Sequence, residues 1–448
     1  MTRLGGVWQG RIKGRLVLAV VAVIATASLY AEGVLKDGWI EVLLLLPVAW
    51  FVVAPGGVSS LQNFLLSLSA ICLTVTCLDL TLRPLISHRL HYTPTNIASR
   101  KLPRLPIVGR WDPNLSFDVE SYGDLAAMSG DVRLREYRRV AFHTDSAGFR
   151  NVPERGPVDL VVLGDSFGAG VGATEDKIFA RLLETRYAQR TYNLSYPGGP
   201  YDQFVNFAIE SPRLTFTPTA RVIWTFYTGN DMDDAGGEIW ELEKLPWRGA
   251  FGQLQVEYRT FRNRSPLNQW MQALRWWLKG RTEGVIVREL PNGRPILFQS
   301  SHEAWAKRTR EEIERHPNFS KLERTLSAMR NLMANRELDL TVLIFPTKGE
   351  VYPWILDQRT PMPDDARSSG FALAVLGACE RARLRCLDTK PYLVEQARRL
   401  LDSSGELLWW RDDTHLGERG HEAVATLIAD EILGLGGREG AEGGDRRL

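Results

Sequence analysis

Between Glu41 and Asp79 the chain runs for 37 consecutive residues, Val42 to Leu78, without a charged side chain. Wound as one helix, this run would reach about 55 Å, nearly twice the ~30 Å hydrocarbon core of a bilayer. Pro55-Gly56-Gly57 interrupts it near its middle, so it reads as two helices joined by a tight turn. A further charge-free segment, Leu16 to Ala31, follows Arg3, Arg11, Lys13 and Arg15. The first 82 residues are therefore predicted to hold three transmembrane helices, at about 16–32, 40–55 and 61–81. The basic start favours a cytoplasmic N-terminus, and three crossings then put the rest of the chain outside the cytoplasm, in the periplasm or beyond. A cleaved signal peptide over the first span is the alternative, offered by the basic start and Ala25-Thr26-Ala27.

The remainder reads as globular. Charged residues make up 24% and hydrophobic residues 44% of the chain, which excludes collagen-like and disordered classes. The net charge of +2 leaves no electrostatic footprint for nucleic acid. Of four cysteines, Cys72 and Cys77 lie in the apolar run, so Cys379 and Cys386 are the one pair left for an optional bridge. Residues 83–155 are rich in Pro and Arg and read as a connecting segment with some strand. From Val158 short apolar strands alternate with helices: strands at Val158–Leu163, Thr191–Ser195, Val222–Thr228, Leu340–Phe345 and Cys386–Leu387, with helices near 175–189, 202–211 and 365–383. That alternation implies βαβ units and a parallel sheet covered on both faces, over about 156–435. An insertion at about 235–318 separates the third and fourth strands, and residues 436–448 read as a disordered tail.

The polar signatures sit where strands end. Gly164-Asp165-Ser166-Phe167 follows the first strand, Pro197-Gly198-Gly199 the second, and Gly229-Asn230-Asp231 the third. Asp412-Asp413-Thr414-His415 precedes a helix starting near Gly417. Open parallel sheets bind ligands at the carboxyl ends of their strands, so these blocks are expected in one crevice. A serine on a tight strand-to-helix turn is exposed near a helix N-terminus. Its hydroxyl attacks only when an imidazole takes its proton, and a carboxylate must hold that imidazole in the right tautomer.

With these blocks in this order, residues 145–435 resemble the SGNH (GDSL-like) hydrolase superfamily. The resemblance implies an α/β fold of flavodoxin-like three-layer type with a parallel sheet. It implies Ser166 as nucleophile, His415 as general base and Asp412 as its orienting partner. The oxyanion hole would be formed by the Ser166 N–H, the Gly199 N–H and the Asn230 amide. The resemblance calls for no cofactor and no metal. From the residues alone Asp413 competes with Asp412, His421 with His415, and Gly198 with Gly199. Asp231, Asp233 and Asp234 lack metal-ligand spacing and read as a solvated acidic loop.

Pro346-Thr347-Lys348 through Tyr352 follows the fourth strand, which makes Lys348 and Tyr352 candidate substrate-binding residues at the rim. This Lys-x-x-x-Tyr pattern resembles the SGNH-like domains of exopolysaccharide O-acetyltransferases, although Leu416, and not the usual Trp, follows His415. A surface or capping role for Lys348 is the alternative. Within the insertion Leu267, Trp270, Met271, Leu274, Trp277 and Leu278 share one helical face, either a lid packed on the sheet or an amphipathic surface for membrane or sugar. The expected protein is a membrane-anchored serine esterase acting on acyl, chiefly acetyl, esters of glycans outside the cytoplasm. O-acetyl transfer to polysaccharide and lipid-ester hydrolysis are the alternatives within that chemistry. A non-catalytic subunit docked to a membrane protein partner is the alternative outside it.

Overall fold

The computed structural model describes residues 99–102, 105–152, 156–236 and 284–435, with scattered helical positions between 63 and 82. The chain divides into two compact units, Met1–Leu85 and Ile86–Leu448, and the architecture below is that of the second. Among the described residues no helix is long and apolar enough to cross a membrane. The spans expected at 16–32, 40–55 and 61–81, apart from those scattered positions, lie outside the described residues, as do the 267–278 helix and the 436–448 tail.

The unit opens with two antiparallel pairs. β1 (Ser99–Leu102) pairs with β2 (Leu105–Trp111), and β3 (Ser116–Ser121) pairs with β4 (Arg138–His143), with α1 (Asp124–Ser129) between the latter two. Next come β5 (Val158–Leu163), α2 (Ser166–Ala169), α3 (Phe179–Tyr187), β6 (Thr191–Asn193), α4 (Pro200–Glu210), β7 (Phe216–Tyr227) and α5 (Asp231–Asp234). The described end of the insertion is a hairpin, β8 (Val285–Glu289) and β9 (Pro295–Gln299), followed by α6 (Ser300–Ala306) and α7 (Arg310–Glu314). The chain then runs through α8 (Phe319–Asn335), β10 (Asp339–Phe345), α9 (Lys348–Val351), α10 (Pro353–Leu356) and α11 (Gly370–Ala382). It closes with β11 (Arg385–Asp388), α12 (Lys390–Ser404) and α13 (Glu418–Leu427).

Five strands form one parallel sheet in the order β11-β10-β7-β5-β6. Their side chains alternate between two cores, as the period-2 geometry of a strand requires. On one face Val161 and Leu163 of β5, Val222, Trp224 and Phe226 of β7, and Val342 and Ile344 of β10 pack with α4, α8 and α11. On the other, Leu160, Val162, Ile223, Tyr227, Leu343 and Phe345 pack with α3, α12 and α13. Strands buried on both faces read as continuous apolar runs, which is why β5, β7 and β10 stand out in the sequence, whereas the edge strands β6 and β11 are only partly buried. Cys379 and Cys386 form a disulfide that ties α11 to β11, with their Cα atoms 6.2 Å apart.

Candidate active site

The turn after β5 is held by its own side chains. Asp165 caps α2, its Oδ1 accepting from the Phe167 N–H at 2.8 Å. The following loop is clamped by Arg150, which is buried and donates to the carbonyls of Gly170 at 2.6 Å, Ala173 at 2.8 Å and Ala169 at 3.2 Å. Its Nε meets Glu175 at 2.9 Å, so the buried charge is paired. Ser166 is thereby fixed with its Oγ 2.8 Å from His415 Nε2.

His415 sits on a narrow loop closed by the Gly417 N–H donating to the Leu408 carbonyl at 2.7 Å. Within it Asp413 Oδ1 lies 2.6 Å from His415 Nδ1 and also accepts the His415 backbone N–H at 3.1 Å. Asp413, and not Asp412, therefore orients the imidazole. Asp412 is occupied elsewhere: its Oδ2 accepts the N–H groups of Gly123 at 2.7 Å and Glu136 at 2.8 Å, and its Oδ1 accepts from Arg138 at 2.8 Å. A β-carbon at Gly123 would lie 1.9 Å from the Asp412 carbonyl oxygen, so this approach admits only glycine. His421 is no rival base. It is buried against Phe179, accepts that residue's N–H at 3.4 Å, and burial pulls its imidazole down to about 3.

Burial alone would lower the His415 pKa, but the Asp413 carboxylate and the neighbouring Asp124 push it above the ordinary value. Burial likewise opposes the Asp413 charge, yet His415 and Arg138 hold its carboxyl well below the usual range. Asp124 accepts the Thr414 N–H at 2.8 Å and lies 3.9 Å from His415 Nδ1; burial and the Asp413 charge push it up to about 7. Asp124, Asp413 and His415 present ligand-type atoms within 4.8 Å of one another. Asp413 and His415 bond each other and Asp124 bonds Thr414, so the group is a hydrogen-bond network.

Gly199 and Asn230 converge on Asp234. The Asn230 Nδ2 donates to Asp234 Oδ2 at 2.7 Å, and a β-carbon at Gly199 would lie 2.3 Å from the Asp234 carbonyl oxygen. Phe167, next to Ser166, stacks on Tyr227 at 4.2 Å and lies 5.4 Å from the His415 ring, linking the strand-end loops. The acidic loop is not simply solvated: Asp231 is buried and accepts the Tyr227 N–H at 2.8 Å, and Asp233 accepts from Trp305 at 2.8 Å.

The rim assignment of Lys348 and Tyr352 is corrected. Lys348 is buried, and its Nζ donates to the carbonyls of Trp410 at 2.7 Å, Leu297 at 2.8 Å and Arg411 at 3.4 Å. Tyr352 is fully buried, its hydroxyl accepting the Leu408 N–H at 2.8 Å. Both side chains point under the histidine loop and hold its backbone, which leaves neither free to meet a substrate. Burial pulls Lys348 down to about 8.

Residues 301–445 match the family model of the SGNH hydrolase-like domain of the acetyltransferase AlgX. The match covers the C-terminal third of the chain, including the His415 loop, and makes that part similar to an SGNH hydrolase-like domain. No curated protein matches the chain in sequence. A solved structure, titled "Crystal Structure of TesA", aligns with 62% of this chain and 98% of its own at 11% identity, with a TM-score of 0.31.

Several residues at the site escape the sequence reading. Gly123, Asp124, Glu136 and Arg138 all come from the segment expected to be a connector, and their contacts lie about 275 to 290 residues downstream. His302 of the insertion meets Tyr227 Oη through its Nδ1 at 3.0 Å. No local pattern marks these positions; their role comes from long-range pairing alone.

Proposed function

We propose that the protein is a membrane-anchored serine acyl-ester enzyme of the SGNH type, acting on O-acyl groups of glycans outside the cytoplasm. The observation that carries this reading is the chain of contacts from Ser166 Oγ to His415 Nε2 at 2.8 Å and from His415 Nδ1 to Asp413 Oδ1 at 2.6 Å. Ser166 attacks the ester carbonyl carbon while its proton passes to His415 Nε2, and Asp413 stabilises the imidazolium. The Ser166 and Gly199 N–H groups and the second amide hydrogen of Asn230 receive the oxyanion. As the intermediate collapses, the departing alcohol takes the proton from His415 and leaves an acyl-enzyme. Water or a sugar hydroxyl then gives its proton to His415, attacks the acyl carbon and releases Ser166, for hydrolysis or transfer respectively.

The AlgX-type match supports acetyl as the acyl group and a polysaccharide as its carrier. The charge-free segments before residue 82 support anchoring. The Cys379–Cys386 bridge supports an oxidising compartment, since such bonds persist outside the cytoplasm. The test is reaction of the purified protein with a fluorophosphonate, read by intact mass. One adduct in the wild type and none in Ser166→Ala is expected. No adduct in a folded wild type overturns the reading and favours a non-catalytic subunit. Incubation of the acetyl-enzyme with oligosaccharide against buffer then separates transfer from hydrolysis.

A further inference from the structure

Two adjacent carboxylates, Asp412 and Asp413, are both wholly buried in the histidine loop. Burying even one charge is costly unless it is paired and hydrogen-bonded. A single cation meets both: Arg138 of β4 donates from Nη1 to Asp412 Oδ1 at 2.8 Å and from Nη2 to Asp413 Oδ2 at 2.5 Å. Its Nε and its second Nη1 hydrogen are also engaged, by the carbonyls of Gly172 and Glu136 at 3.1 Å each, and its guanidinium carbon lies 4.4 Å from the Trp410 ring centroid. Asp413 is thus held at both oxygens, by the guanidinium on one side and by His415 on the other. We propose that Arg138 is the positioning residue of the base loop, fixing Asp413 toward His415 and balancing the charge of Asp412. This deepens the serine-enzyme reading above and rests on it.

The consequence is electrostatic as well as geometric. With Arg138 present, the two carboxylates and one guanidinium sum to a single negative charge, which protonation of His415 cancels. Besides this trio, His415 faces Asp124 at 3.9 Å, feels Asp165 of the nucleophile turn, and interacts electrostatically with His302 and His421. Removing Arg138 leaves an uncompensated negative charge that favours the imidazolium. Removing the Asp412 charge does the opposite. At an effective dielectric of about 20, a unit charge several ångströms away shifts a pKa by about one unit.

The experiment measures the fluorophosphonate labelling rate of the full-length protein against pH. Labelling requires neutral His415, so the rate falls as pH drops through its pKa. Arg138→Gln is expected to move this acid limb up by about one pH unit, and Asp412→Asn to move it down. The double variant is expected to return close to the wild-type position. Singles that leave the limb in place, or shift it in the same direction, overturn the proposal, because a merely structural arginine would lower the rate without moving the limb. If Arg138→Gln does not fold, the direction of the Asp412→Asn limb decides alone. A folded wild type that never labels defeats the serine reading, whereas a wild type that labels with an immobile limb in the variants defeats only the role of Arg138.

Discussion

Replacing Asp413 by Asn removes one charge and keeps the shape, and the surrounding donors dictate the orientation of the new amide. Arg138 Nη2 faces one oxygen of the native carboxylate at 2.5 Å and can only donate. The introduced carbonyl must therefore turn toward Arg138, which presents the amide NH₂ to His415 Nδ1. An imidazole that accepts at Nδ1 carries its proton on Nε2, where it cannot receive the Ser166 proton across the 2.8 Å contact. The reverse rotamer sets NH₂ against the guanidinium and is no better. The same tautomer trap in other serine enzymes costs about 10⁴ in rate, about 5 kcal/mol of transition-state stabilisation. Asp413→Asn should lose a comparable factor in pseudo-first-order labelling at the pH plateau, with its thermal unfolding followed in parallel. Asp412→Asn, whose native oxygens face Gly123, Glu136 and Arg138 but not His415, should lose less than about tenfold. Equal losses in the two variants, or an Asp413→Asn enzyme within tenfold of wild type, would refute the assignment of Asp413 over Asp412.

Asn230→Ala should reduce turnover of an activated acetyl ester by about 10²–10³ with little change in thermal stability, and an unchanged rate removes Asn230 from the oxyanion hole. Lys348→Met leaves the carbonyls of Trp410 and Leu297 without their buried donor, at about 1–3 kcal/mol each; a fall in Tm is expected, and an unchanged Tm contradicts the clamp. Because Asp413 and Asp124 raise the His415 pKa, kcat/KM should fall with decreasing pH through a midpoint above the ordinary histidine value of 6.5. A midpoint below 6.5 contradicts the electrostatics described.

The sheet was legible because its three central strands are apolar on both faces, so Val158–Leu163, Val222–Thr228 and Leu340–Phe345 stand out from their surroundings. The turn at Ser166, the glycines beyond β6 and Asn230 were legible as polar blocks that follow strands, and the His415 loop as a polar block just before the last helix. What spacing could not separate was Asp412 from Asp413. The two carboxylates share Arg138, and Asp412 is drawn away from His415 by the N–H groups of Gly123 and Glu136, far away in sequence. Lys348 and Tyr352 were expected at the rim after the fourth strand, whereas both side chains are buried and bonded to backbone of the histidine loop. An α9 capping box, Thr347 with Glu350, turns the chain under the loop there, and only packing reveals where a lysine Nζ ends up.

The pairing of β4 with the histidine loop also sets an order of events in time. Arg138 is made 274 residues before Asp412, so it emerges long before either carboxylate it must neutralise. At about 5–20 residues per second, that gap lasts roughly 14–55 s. For all of that interval after residue 166 is made, the chain holds Ser166 and its capping Asp165 but neither base nor orienting acid. A nascent chain therefore carries this serine without its partners, and the Ser166–His415–Asp413 contacts form only when the loop before α13 closes onto the β3–β4 pair.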